Sequence, residues 1–169
     1  MITADYARTM ARYNLWMNET LYAAAARLSD AERKRDLGAF FKSLHGTLNH
    51  VLVGDRLWLG RFVGAPVTYP SLAYEIAADF AELSRERAKT DAAIAAYAAT
   101  LTPERLAKPL VYRTLLNPRD VSFPLVLALA HFFNHQTHHR GQATTLLMQL
   151  GVDPGITDLI ALPGLEQAA

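Results

Sequence analysis

The 169-residue chain has no cysteine. That absence excludes disulfides, thiolate metal sites and a cysteine nucleophile, so any metal is held by nitrogen or oxygen and any thiol chemistry needs a thiol brought by a cosubstrate. Neither sign of charge is in excess: 17 basic against 16 acidic residues leave a formal net charge of +1. The basic residues are scattered and form no run with interleaved aromatics, so nucleic acid is not expected as a partner. No apolar stretch approaches the ~20 residues that cross a bilayer. The start, Met1-Ile2-Thr3-Ala4-Asp5, has no charged segment followed by an apolar one, so neither a signal peptide nor membrane contact is expected and the cytoplasm is the expected location. Several catalytic signatures are missing too. No glutamate stands three residues before a histidine, as di-iron carboxylate bundles require. There is no His-Glu-x-x-His and no Gly-x-Ser-x-Gly.

What is present is a sufficient apolar fraction, 51%, to build one core, and the length fits a single domain over residues 1–169. Apolar residues recur at helical spacing from Tyr6 to Leu28, through Tyr6, Met10, Tyr13, Met17 and Leu21. A second helix is expected from Phe40 to Phe62, ended by Gly64-Ala65-Pro66 and Tyr69-Pro70. Ser71 reads as the cap of a third helix that runs to about Ala99. Residues 100–124 carry Pro103, Pro109, Pro118 and Pro124 and no helical period. Leu110 to Thr114 and Val121 to Phe123, around the turn residues Asn117-Pro118-Arg119-Asp120, read as a small hairpin. A fourth helix starts near Pro124 and stops at Gly151. The tail from Ile156 has no clear signal. Four long helices define an all-α fold, a four-helix bundle with its long connection between the third and fourth helices.

Half of the six histidines fall in His135-Gln136-Thr137-His138-His139. A neutral imidazole is the commonest ligand for a transition metal, and two at i, i+4 on a helix point at one spot. The same pair also arises by chance, as a surface cluster or as core histidines satisfied by hydrogen bonds. At ~100° per residue, the stripe Leu129, Phe132, Ala143, Leu146, Leu147 and Leu150 sets the inward direction. His139 lies roughly 40° from its centre and His135 roughly 80°, whereas His131 and His138 lie more than about 110° away. The inward pair is His135 with His139. A third ligand must come from elsewhere, and the second helix offers His45 and His50. Its best stripe (Leu44, Leu48, Val51, Asp55, Leu59, Phe62) favours His45, and periodicity alone does not select His50.

The run Asn134-His135-x-x-His138-His139-Arg140-Gly141-Gln142 resembles the signature of the DinB/YfiT-like family. So do Asn49-His50-x4-Asp55-Arg56-x-Trp58 in the second helix, Tyr13-Asn14-x-Trp16-x-Asn18 in the first, and Thr157-Asp158-Leu159-Ile160 in the tail. The likeness covers most of the chain, in order. It implies a four-helix bundle, often a homodimer, with a divalent metal held by one histidine of the second helix and two of the last. Carried over by motif, these are His50, His135 and His139. Relatives implied by the resemblance include thiol-dependent transferases and a mycothiol-dependent isomerase. The tail departs from the family pattern at Ala161-Leu162-Pro163-Gly164, where relatives continue with aromatic or basic residues.

Three neutral imidazoles leave the charge of a metal intact and one position open. A water there is acidified, and a cosubstrate thiol in its place is held as thiolate, the reactive form. The expectation is a metal-dependent transferase or isomerase that uses a low-molecular-weight thiol on small electrophiles. The alternatives are a hydrolase using metal-bound hydroxide and a non-catalytic, stress-related metal-binding protein. Zinc or nickel is expected first, then iron or manganese, since imidazole suits several of these ions. No catalytic residue is assigned. Asp55 is a candidate for orienting a ligand imidazole, more easily one of the last helix than His50, which lies about 140° away around its own helix. Asn14 is a candidate polar group of the pocket, and Arg140 a candidate contact for an anionic substrate or thiol.

Overall fold

The computed structural model describes residues 2–114 and 117–166. Four long helices carry it: α1 (Ala4–Ala26), α3 (Leu44–Val63), α4 (Phe80–Ala99) and α6 (Leu125–Gln149). Between them lie the short helices α2 (Asp30–Lys34) and α5 (Pro103–Leu106), and the strands β1 (Pro109–Arg113) and β2 (Asp120–Pro124); a 3-10 turn follows at Leu159–Ala161. α1 packs against α4 and α6, and α3 packs against the same two. The pairs α1/α3 and α4/α6 therefore stand across the bundle from each other. This is the expected all-α bundle. The expected hairpin is present as well, with β1 and β2 antiparallel and Val111 opposite Ser122. Among the described residues, no helix is long and apolar enough to cross a membrane.

Two helix starts differ from the sequence expectation, and both differences matter for the site. α3 begins at Leu44 rather than Phe40, because Lys42 takes a left-handed φ of 65° and Ser43 caps the helix by accepting from the Gly46 amide at 3.0 Å. The chain before it folds back so tightly that a Cβ on Gly46 would stand 2.3 Å from the Phe41 carbonyl oxygen. Glycine allows that approach. α4 begins at Phe80 rather than near Ser71. Its cap is Asp79, which accepts from the Glu82 amide at 2.8 Å. The backbone of the preceding segment is engaged by α3 instead. Asn49 accepts from the Ala77 amide and donates to the Ala77 carbonyl, both at 3.2 Å, and His45 Nε2 donates to that carbonyl at 3.0 Å. A segment whose polar groups are paired with side chains has no need of a helical ladder. A third difference is α2, closed by a capping box between Ser29 and Glu32.

The core is aliphatic around Leu21, Leu44, Leu52, Leu83, Ile94, Leu129 and Leu147. One polar network crosses it and touches all four long helices. Arg87 on α4 donates to Asp55 of α3 at 2.7 Å and pairs with Asp91 at 2.8 Å. Asp91 also accepts from Asn14 and Asn18 of α1, at 3.0 and 2.9 Å. Gln136 of α6 donates to Asp55 at 2.9 Å, and Arg140 donates to Asn14. All seven side chains are buried.

Candidate metal centre

Beside that network, α3 and α6 bring three imidazoles together. Each of His50, His135 and His139 offers a ring nitrogen within 4.8 Å of the others. The ring centroids of His50 and His135 stand 4.3 and 4.4 Å from that of His139. Two close approaches make room for them. The Gly46 turn lets Phe41 stack on His50, with centroids 3.8 Å apart and planes at 16°. Gly54, one turn after His50, faces His135 so closely that a Cβ there would lie 2.8 Å from the His135 Cε1.

The hydrogen bonds around the rings fix which nitrogens carry protons. His50 Nδ1 lies 2.8 Å from the Leu72 carbonyl oxygen, which only accepts, so Nδ1 is the protonated nitrogen. His139 Nδ1 lies 2.8 Å from Gln142 Oε1 and donates to it likewise. In the neutral imidazoles both Nε2 atoms then carry bare lone pairs. Those two atoms face each other at 3.1 Å. Burial pushes the His50 pKa down to about 4 and the His135 pKa to about 3, and lowers that of His139 as well, so no proton sits between them at neutral pH. Two lone pairs at this distance repel unless a cation lies between them. Two nitrogens bound ~2.0 Å from one tetrahedral zinc stand ~3.3 Å apart, close to the spacing seen. The residues fit a divalent ion, and the three-histidine group could hold one.

The other histidines are used differently. His45, which the apolar stripe of the second helix favours, is buried, and its Nε2 is shared between the Ala77 carbonyl and the Glu75 carboxylate at 2.9 Å. It ties the segment before α4 to α3. His138 is exposed, lies 3.4 Å from Gln142 and meets the His139 ring edge-on at 4.7 Å between centroids. His131 lies outside the cluster but packs on Trp58, 4.9 Å between centroids. Together with His50, Gly54 and His135 these two line a cleft of about 480 Å³. Its remaining walls come from α3, the Leu72 segment, β1 and the turn between β1 and β2.

The weaker candidates go elsewhere. Asp55 is bonded to Arg87 and Gln136, not to an imidazole. Asn14 and Arg140 belong to the same buried network, away from the histidine cleft. Arg140 borders a separate cavity between α1, α6 and the tail, where the Tyr13 hydroxyl donates to the Thr157 carbonyl at 2.5 Å. Sequence reasoning missed four groups that shape the site: Phe41, Gly54, the Leu72 carbonyl and Gln142. Gln142 carried a signal, three residues after His139 and so on its face of the helix.

Fold and site together define a class: four-helix-bundle proteins with a candidate three-histidine metal centre. The family model described as the DinB family matches residues 1–168, and the chain belongs to that family. It is similar to Protein DinB of Bacillus subtilis (strain 168), 26% identical over 161 residues that cover 92% of each chain. In fold it is similar to a DinB-like protein from Bacillus cereus ATCC 10987, with a TM-score of 0.57 at 19% identity over 89% of this chain and 91% of that one.

Proposed function

We propose that the chain is a metal-dependent enzyme that transfers a low-molecular-weight thiol to, or uses it to isomerise, a small electrophile. The observation that carries this reading is the pair of unprotonated Nε2 atoms of His50 and His139 facing each other at 3.1 Å, with His135 beside them on a cleft. A divalent ion held there supplies Lewis acidity and lowers the pKa of a cosubstrate thiol, which matters because the chain has no thiol of its own. The residues do the rest. Leu72 and Gln142 hold two imidazoles in the tautomer that leaves Nε2 free. Phe41 covers one face of His50 and keeps water from it. The cleft beside His135 receives the electrophile, and its apolar walls lower the local dielectric around the reacting atoms. Zinc and nickel are the first ions to try, then iron and manganese. A homodimer in the cytoplasm, with a role under stress, belongs to the same proposal.

The test is turnover. Protein loaded in turn with each ion and supplied with a low-molecular-weight thiol consumes a chloroaromatic or an epoxide faster than metal-stripped protein does. No metal-dependent turnover with any thiol and either electrophile defeats the reading. Ester or amide cleavage without added thiol replaces it with a hydrolase.

A further inference from the structure

Arg61 sits one helical stripe below the histidines: His50, Gly54, Leu57, Trp58 and Arg61 follow one another along the face of α3 that lines the cleft. It is half-buried, and its guanidinium lies against two rings, 4.6 Å from the Trp58 centroid and 4.4 Å from that of Tyr112. Among the described residues its guanidinium has no hydrogen-bond or ion-pair partner, and no acidic side chain lines the cleft. Burial lowers its pKa, with no carboxylate nearby to offset that.

A cation partly withdrawn from water and lacking a counter-charge gains from an anion that supplies one. At Arg87 that counter-charge is supplied internally, by two aspartates. Stacking against aromatic rings engages the face of a guanidinium and leaves its in-plane N–H fork free, the geometry that takes a carboxylate in two parallel hydrogen bonds. Arg119 adds a second positive charge to the lining. Between Arg61 and the imidazoles the walls are apolar, from Leu57, Trp58 and Leu72.

We propose that Arg61 is the anchor for the carboxylate of a small substrate with an apolar or aromatic body, whose other end lies at the three histidines. The choice of reacting end rests on the metal-dependent reading above; the anchor does not. Arg61 would act as a binding and positioning residue, not as a ligand of the ion.

The test uses full-length protein, zinc-loaded and metal-stripped, with zinc content measured in each sample. Benzoate, phenylacetate and hexanoate are titrated beside their neutral amides, followed by calorimetry. At least one acid is expected to bind ~10-fold or more tightly than its amide in both forms, as a charge-assisted pair requires. In Arg61→Gln that preference falls to about one while zinc content is unchanged. Arg61→Lys, which keeps the charge and loses the fork, keeps only part of it. In wild type, the preferred acid but not its amide shields Arg61 from phenylglyoxal, read by mass spectrometry, which covers a variant that fails to fold. An absence of acid preference with all three pairs overturns the proposal. So does a preference that survives Arg61→Gln, because the carboxylate then sits on the ion or on Arg119. If zinc is not held but the preference and its loss remain, the metal reading fails and the anchor stands.

Discussion

Two polar clusters share α3 and α6 and differ in how their charge is answered. In the network around Arg87, two aspartates face arginine and amide donors from α1, α4 and α6, so the chain answers both buried carboxylates itself. In the histidine cluster, two lone pairs face each other with nothing of the chain between them. The clusters are interleaved in sequence. Gln136 and Arg140 belong to the first, and their immediate neighbours His135 and His139 belong to the second. One residue along a helix turns the side chain about 100°, which separates a structural polar core from a site open to a ligand. A closed network stabilises the fold. An open one is built to receive something.

The sharpest way to break this contrast is Arg87→Met. It leaves Asp55 and Asp91 buried without their direct counter-ion, and urea unfolding of the metal-free protein should show a loss of ~3–5 kcal/mol. The opposite response is expected of His139→Ala. Metal-free stability should stay within ~1 kcal/mol of wild type, since a repulsion is removed along with some packing. What disappears is stabilisation by added zinc, ~2.7 kcal/mol in wild type at 100 times the dissociation constant. A thermal shift in the variant equal to that of wild type would place the ion elsewhere.

A finer test is Gln142→Leu, which keeps all three imidazoles and removes the acceptor that holds the His139 tautomer. Competition with a chelator should show zinc affinity reduced ~10–100-fold, with little change in metal-free stability. The smallest effect concerns Glu86 on the outer side of α4. Hydrogen bonds from Arg56 and Lys89 hold its carboxyl down to about 2, below its ordinary 4.5. A depressed carboxylate stabilises fully above its unfolded value and loses that contribution as pH falls through the folded one. Wild type should therefore be slightly more stable than Glu86→Gln at pH 6, with the urea midpoints of the two converging as the pH is lowered toward 2.

The contrast also explains what the sequence revealed. Along α6, hydrophobic periodicity separated His135 and His139 from His138, because that helix has one apolar stripe that sets the inward direction. Along α3 it failed. Residues from Leu48 to Leu59 are apolar almost all round, and both His45 and His50 are buried. What distinguishes them is a segment distant in sequence, which takes His45 at Ala77 and His50 at Leu72. No local pattern encodes that partnership, and His50 was selected by the family resemblance instead. Asp55 lay on the inward stripe for a reason periodicity does not express, since its partners are Arg87 and Gln136. Helix starts misled at Phe40 and Ser71, where side-chain bonds to the backbone ended regular structure. The hairpin was legible because its turn residues and prolines act locally.

The bond between His50 and Leu72 divides labour within one residue. Its carbonyl oxygen sets the protonation of the His50 imidazole, while its side chain lines the cleft. Every amino acid carries the same carbonyl. Position 72 can therefore change through evolution or design, widening or narrowing the cleft, while the imidazole it steadies keeps its tautomer. Cleft shape and imidazole tautomer are inherited separately at a single position.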